Sequence, residues 1–164
     1  MIIFTPNTVI KSADVNLNFT EALKTSNHVN PYKFHAYRNA AWTATSGLSK
    51  VDFDAEVFDT NNNFASGTYT VPLTGFYQFN ATVTLAGNTT RIFVSIYKNA
   101  GATELARNDT NISNAVALAF SCNVSCYVKL TAGETVDVRQ ASANVAGAVA
   151  PHFTYFSGFL ESTA

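Results

Sequence analysis

The feature that most constrains the fold is a stretch of 16 residues, Ala115 to Leu130, in which large and small or polar side chains alternate. Successive side chains of a β-strand point to opposite faces, so this period of two predicts a strand with one face in a core. Sixteen residues is long for a strand, and we expect a bulge or bend within it. The core face would carry Val116, Leu118, Phe120, Cys122, Val124, Cys126, Val128 and Leu130.

The same alternation recurs after Pro31, with turns rich in Gly and Asn between the strands. From Gly75 onward, Tyr77 and Phe79 fall on the core face, whereas Phe76 falls on a face that is otherwise polar. Many short strands of this kind favour an all-β protein, an antiparallel β-sandwich of Greek-key or jelly-roll type. The other predicted strands are Lys33–Asn39, Thr68–Val71, Arg91–Lys98, Thr103–Arg107, Glu134–Gln140 and His152–Glu161, with weaker ones between Trp42 and Phe58.

Charged residues are sparse, at 13% of the chain, and the net charge is -1. This composition provides no basic surface for nucleic acid or anionic membranes, so neither partner is expected. No segment has the unbroken apolar length of a membrane span, and the N-terminus lacks the features of a secretory signal. Triplets such as Asn80-Ala81-Thr82 and Asn108-Asp109-Thr110 are therefore interpreted as chance products of an Asn- and Thr-rich chain.

The first 31 residues differ from the rest of the chain. Ser12 is suited to cap a short amphipathic helix, whose apolar stripe would consist of Val15, Phe19, Ala22 and Leu23. A helix of this length is marginal in water by itself, so the stripe must dock on its own domain, on sister chains or on another protein. We predict an N-terminal anchoring segment over residues 1–31 and a head over residues 32–164.

Several motifs occur in the order seen in the globular heads of the complement C1q and tumour necrosis factor superfamily, and the chain resembles that family over about Lys33 to Leu160. Gly75-Phe76-Tyr77-Gln78-Phe79 matches the end of the family signature, while Tyr69 stands where Phe is usual. "KFHAYR", "VSIYKNAG", "LTAGETV" and "FSGFL" resemble further segments of the family. The resemblance implies a ten-stranded jelly roll that assembles as a trimer and acts by binding rather than by catalysis.

The N-terminal stretch "FTPNTVIKSADVNLNFTEAL" resembles the opening residues of many bacteriophage fibre and appendage proteins. This second resemblance covers about twenty residues. Combined with the C1q-like head, it favours a virion protein.

Large aromatic side chains occur on strand faces that should be exposed. Leaving five or six of them in water would invite aggregation, because each removes about 150 to 250 Å² from water when buried. We therefore predict that a homotrimer interface is lined by His35, Tyr37, Phe93, Tyr97, Tyr155 and Phe159.

No catalytic residues are predicted, because the three histidines stand apart from any Ser, Cys or carboxylate constellation. Asp52, Asp54, Glu56 and Asp59 form the only acidic cluster, which suits a solvated strand edge better than a calcium site. Cys122 and Cys126 are expected to be unbonded, since four strand residues separate their α-carbons by about 13 Å. No metal and no cofactor are expected.

The leading hypothesis is a non-enzymatic homotrimeric virion protein, a phage fibre or knob that attaches to the host surface. Its partners would be sister chains, other virion proteins through the N-terminal segment, and a host receptor or glycan. One alternative is a capsid decoration protein. The other, from a different class, is a cellular C1q-like module that binds glycans or proteins.

Overall fold

The structure, a computed structural model, describes residues 32–87, 90–111, 119–142 and 146–164. Thirteen strands lie in these ranges, and they form two antiparallel sheets. The strands are β1 (Lys33–Tyr37), β2 (Trp42–Thr43), β3 (Ser49–Lys50), β4 (Ala55–Asp59), β5 (Phe64–Ala65), β6 (Thr68–Thr70), β7 (Gly75–Ala86), β8 (Arg91–Lys98), β9 (Thr103–Asn111), β10 (Ala119–Leu130), β11 (Thr135–Gln140), β12 (Ala146–Gly147) and β13 (Tyr155–Thr163).

The two sheets pair strands that are far apart in the chain. The seven-stranded sheet runs β4–β1–β13–β7–β10, and the short β2–β12 ladder meets the end of β7 beside Leu85. The six-stranded sheet runs β5–β6–β11–β8–β9, with β3 beside β11. The first and last strands, β1 and β13, lie side by side from Lys33 opposite Phe159 to Tyr37 opposite Tyr155. This arrangement confirms the predicted antiparallel jelly roll.

Most predicted strands are found, and the longest differs in one respect. β8 has the predicted bounds, and β7 extends the prediction by one residue. The described part of the long strand, Ala119 to Leu130, pairs with β7 in one unbroken register without the expected bulge. Register shifts occur instead in the β1–β4, β7–β13 and β8–β9 pairs. The strands β5 and β12 were not predicted, because two residues carry no periodicity.

An aromatic stack joins the two sheets through Phe34 on β1. The ring of Phe34 lies 4.6 Å from Tyr69 and 5.0 Å from Phe64, both of the six-stranded sheet, and 4.9 Å from Phe156 of β13. Gly158 allows this packing, because a Cβ there would overlap the ring of Phe79 and lie 3.0 Å from Phe34. Burying each ring contributes about 4 to 6 kcal/mol as an upper bound.

Two groups of sequence predictions have different outcomes. Both cysteines are free, as predicted, and burial raises the pKa of the Cys126 thiol to about 11. The N-terminal helix, with its stripe of Val15, Phe19, Ala22 and Leu23, lies outside the described residues, and the division into two domains remains a prediction. Within the described ranges, the chain contains no helix with the length and apolar character needed to cross a bilayer.

Two buried tyrosines in the core give a testable contrast. The hydroxyl of Tyr77 donates a hydrogen bond of 2.7 Å to the carbonyl oxygen of Leu73, whereas the hydroxyl of Tyr69 is buried without a partner. An unpaired buried polar group carries a desolvation cost of about 1 to 3 kcal/mol. Burial accordingly raises the pKa of Tyr69 far above its usual value.

We expect Tyr69→Phe to raise the free energy of unfolding by about 1 kcal/mol and Tyr77→Phe to lower it by about 1 kcal/mol. Guanidinium denaturation of the two variants measures both values. Equal destabilisation by the two variants would contradict the contrast.

Candidate functional site: an open sheet face

Each sheet turns one face to the core and one face outward, and the two outer faces differ in how far their aromatic side chains are covered. On the six-stranded sheet, the outward residues of β8 include Phe93 and Tyr97. Both were predicted to point outward and to line a homotrimer interface, and in the single chain only 5% and 9% of their surfaces are accessible, because other side chains of the same chain cover them. Their part in an interface stays a prediction.

Arginine side chains cover the two rings. The guanidinium carbons of Arg107 and Arg91 lie 4.7 and 5.5 Å from the centre of the Phe93 ring, and that of Arg139 lies 5.5 Å from the centre of Tyr97. A guanidinium at this distance is attracted by the negative face of an aromatic ring. We call this arrangement the sealed face.

Each of these arginines is also held by a carboxylate. The Nε atoms of Arg91, Arg107 and Arg139 donate hydrogen bonds of 2.7, 2.8 and 2.8 Å to the carboxylates of Asp109, Glu104 and Asp137, respectively. The Arg107 guanidinium holds the pKa of Glu104 below its usual value, and Arg91 does the same for Asp109. Charge is therefore balanced within the sealed face.

Among the described residues, no arginine covers a ring on the outer face of the seven-stranded sheet, and we call this face the open face. Residues opposite each other on neighbouring strands share a face, so the registers place its side chains in three rows. Four of the six predicted interface residues lie here. The rows are Tyr37, Tyr155, Thr82 and Asn123; His35, Ser157, Asn80 and Ser125; and Phe159, Gln78 and Tyr127.

One side of the open face is an aromatic cluster on β4, β1 and β13. The imidazole of His35 stacks on Tyr155, with centroids 5.2 Å apart, and lies 6.2 Å from Phe58. The Nε2 atom of His35 is buried without a hydrogen-bond partner. Phe58 is 43% exposed, although it lies beside these rings.

The other side has a different chemistry, with aromatic rings next to charges. Phe76 stacks on Tyr127 at 5.9 Å, and the Nζ atom of Lys129 lies 5.7 Å from the centre of the Phe76 ring. The Tyr127 hydroxyl donates a 2.9 Å hydrogen bond to Glu161, which raises the pKa of Tyr127. Phe76, the outward aromatic of the Gly75 strand, thus lies on the open face.

Sequence reasoning placed Phe76 on the outward face, but the predicted interface did not include Phe58, Phe76 or Tyr127. Tyr127 falls on the outward face by strand period alone, so that signal was available. The signal for Phe58 is weaker, because the register shift between His35 and Ala36 interrupts simple alternation where β4 pairs with β1. Tyr127 is 57% exposed and Phe159 40%, which leaves large apolar area open to solvent in the single chain.

Polar side chains separate the two aromatic sides. The Thr82 hydroxyl donates a 2.8 Å hydrogen bond to the Oδ1 atom of Asn123, and Gln78 and Asn80 are in contact at 3.4 Å. These amides and hydroxyls can form directional hydrogen bonds with a partner surface.

The acidic cluster has a structural explanation. Asp54 accepts hydrogen bonds from the backbone nitrogens of Asn39 and Ala40 at 2.7 and 2.9 Å. Burial alone would raise the pKa of Asp54, but these two bonds and the charge of Arg38 outweigh it and lower the value. Within the part of the chain that the structure describes, no three His, Cys, Asp or Glu side chains are grouped to hold a metal ion.

Comparison with known proteins gives consistent results. The C1q domain family profile matches residues 33–160. The globular domain of zebrafish complement 1qA has a TM-score of 0.60 and 21% identity, covering 81% of this chain and 99% of its own. Murine APRIL has a TM-score of 0.63 and 16% identity, with coverages of 78% and 97%. Eiger TNF from S. frugiperda has a TM-score of 0.62 and 12% identity, covering 81% of this chain and 94% of its own.

Identities this low show a shared fold and nothing more. No curated protein sequence matches the chain significantly.

The ion pairs of the sealed face predict a pH dependence of stability. Because the folded-state pKa of Glu104 lies below the usual 4.5, its pairing with Arg107 stabilises the protein above that pH and is lost as the pH falls through the folded-state value. We expect Glu104→Gln to lower the free energy of unfolding by about 0.5 to 1 kcal/mol at pH 7, with the difference shrinking towards pH 3. Urea denaturation at both pH values measures it. Glu56→Gln, at an exposed carboxyl of β4, is the control, and a gap of equal size at both pH values would contradict the assignment.

Proposed function

The chain belongs to the C1q domain family, and from that premise we propose that it is a non-enzymatic homotrimeric head, displayed on a virus particle as a short fibre or knob that attaches to the host surface. The observation that carries self-association is the contrast between the two outer faces. In the described part of the chain, arginines cover the aromatics of one face, whereas aromatics of the other face such as Tyr127, Phe58 and Phe159 stay accessible. An exposed aromatic surface of this kind marks an interaction site.

The two sides of the open face support a cyclic assembly. His35, Tyr155 and Phe58 form an aromatic side, while Lys129 and Glu161 bring charge to the other. A twofold interface brings the same patch together from both copies, whereas a head-to-tail interface joins two different patches and closes into a ring. Because the two sides of the open face differ, they fit a head-to-tail ring. The resemblance to C1q and tumour necrosis factor heads favours three copies in that ring.

Display on a particle is supported by the N-terminal resemblance and by where the chain enters the head. The backbone nitrogen of Leu160 donates a hydrogen bond to the carbonyl oxygen of Tyr32, and that of Ala164 donates to Thr74, just before β7 begins. The first and last described residues therefore lie at the same end of the sheet. A head anchored through its N-terminal segment would leave the opposite end free for a receptor.

The trimer is tested by charge insertion on the open face. We expect the purified chain to sediment at three times its 17.7 kDa mass, and Phe159→Lys to weaken association at least about tenfold. Leu48→Lys is the matched control, because Leu48 is 48% exposed but lies outside the open face. Analytical ultracentrifugation distinguishes the species. A monomeric parent chain at micromolar concentration, or equal weakening by both variants, would overturn the interface.

Location on the particle tests the second part of the proposal. Immunogold labelling and cryo-electron microscopy of virions are expected to show this chain at the tail end. Regular density over the capsid would instead identify a decoration protein. Absence from purified particles would refute the virion assignment and leave a cellular binding module.

A further inference from the structure

Two Asn-x-Ser/Thr triplets face each other at the centre of the open face. Asn80-Ala81-Thr82 lies on β7 and Asn123-Val124-Ser125 lies on β10. The antiparallel register sets Asn80 opposite Ser125 and Thr82 opposite Asn123. The asparagine of each triplet is thus next to the hydroxyl residue of the other.

Both asparagines occupy the polar band between the two aromatic sides of the open face. Asn123 is exposed and accepts the 2.8 Å hydrogen bond from Thr82, while Asn80 is partly buried beside Gln78 and Ser157. A partner that covers the aromatic sides must also cover this band, because it lies between them.

The triplets are acceptor sequences for N-linked glycosylation. In that reaction the side-chain nitrogen of asparagine bonds to C1 of an oligosaccharide carried on a lipid diphosphate. The bond from C1 to the diphosphate oxygen breaks, the lipid diphosphate leaves, and the nitrogen loses one proton. The product is a bulky, hydrated group attached to the asparagine.

We infer that modification of Asn80 or Asn123 blocks the open face, so that the trimer assembles only in a compartment without oligosaccharyl transfer, such as a bacterial cytosol. This inference rests on the proposed trimer. A glycan at either position would hold the facing surface away from the aromatic rings. The inference distinguishes a virion protein from a C1q-like module that is made in a eukaryotic secretory pathway.

A third triplet gives an internal comparison. Asn108-Asp109-Thr110 lies on β9, in the six-stranded sheet, where Asp109 belongs to the sealed face. This triplet lies outside the open face, so glycosylation away from that face is possible in the same molecule.

The test produces the full chain in the bacterial cytosol and, behind an added signal peptide, as a secreted protein of mammalian cells. Tunicamycin, which blocks synthesis of the lipid-linked oligosaccharide, yields the same secreted chain without glycans and needs no substitution on the open face. Native mass spectrometry measures the oligomer, and peptide mapping locates the glycans.

We expect a trimer from bacteria, and from mammalian cells a secreted parent chain that is monomeric wherever Asn80 or Asn123 carries a glycan. The tunicamycin-treated parent chain, which carries no glycan, is expected to be trimeric. A trimer whose chains carry glycans at Asn80 or Asn123 would overturn the inference, as would a secreted chain with both asparagines unmodified. A monomer from bacteria would instead refute the proposed trimer itself.

Discussion

The stacking of Phe34 against Tyr69, Phe64 and Phe156 is the contact on which the two sheets depend. It connects β1, the first described strand, with β13, the last, and with β5 and β6 in the other sheet. A strand whose core face carries aromatic rings has no freedom of register, because a shift of one residue would turn those rings to solvent. The outward side chains of β1 and β13 are therefore fixed by the same contact. His35 and Tyr155 meet because Phe34 and Phe156 do.

Once the core face is fixed, the aromatic side chains on the outward face of each sheet are either covered by other side chains or exposed to solvent. The six-stranded sheet covers Phe93 and Tyr97 with three arginines, each neutralised by a carboxylate of the same sheet. The chain has only 10 Lys and Arg residues, so a substantial share of its cations is used on one face. On the seven-stranded sheet, Lys129 beside Phe76 is the cation that lies next to an outward ring among the described residues. This unequal distribution of charge is the basis on which we propose that a second copy covers the seven-stranded sheet.

The sequence alone predicts which residues share a strand face, but not which sheet a strand joins. Local alternation was sufficient for β7 and β8 and for the outward position of Tyr155. Alternation cannot show whether Phe93 and Tyr97 lie in the same sheet as His35 and Tyr37. The pairing of β8 with β9 and β11 depends on residues far along the chain. The cover over Phe93 needs Asp109 opposite it and Arg107 two positions away, a relation that only the register reveals. Phe58 was missed because a register shift hides its face.

The position of the chain ends gives the proposed assembly a further property. A rotation axis leaves every point at its own height along the axis, so copies related by such an axis present their Tyr32 residues at one level. Three N-terminal segments would then leave a trimer together, at the end where Ala164 also lies. Attachment through three linked segments makes the second and third contacts intramolecular, which raises the overall affinity without any new contact in each segment. Under the proposed function, three weak anchors, one in each chain, would together hold the head more tightly than one anchor could. The short length predicted for the N-terminal helix is compatible with that role, since no single copy has to hold the head alone.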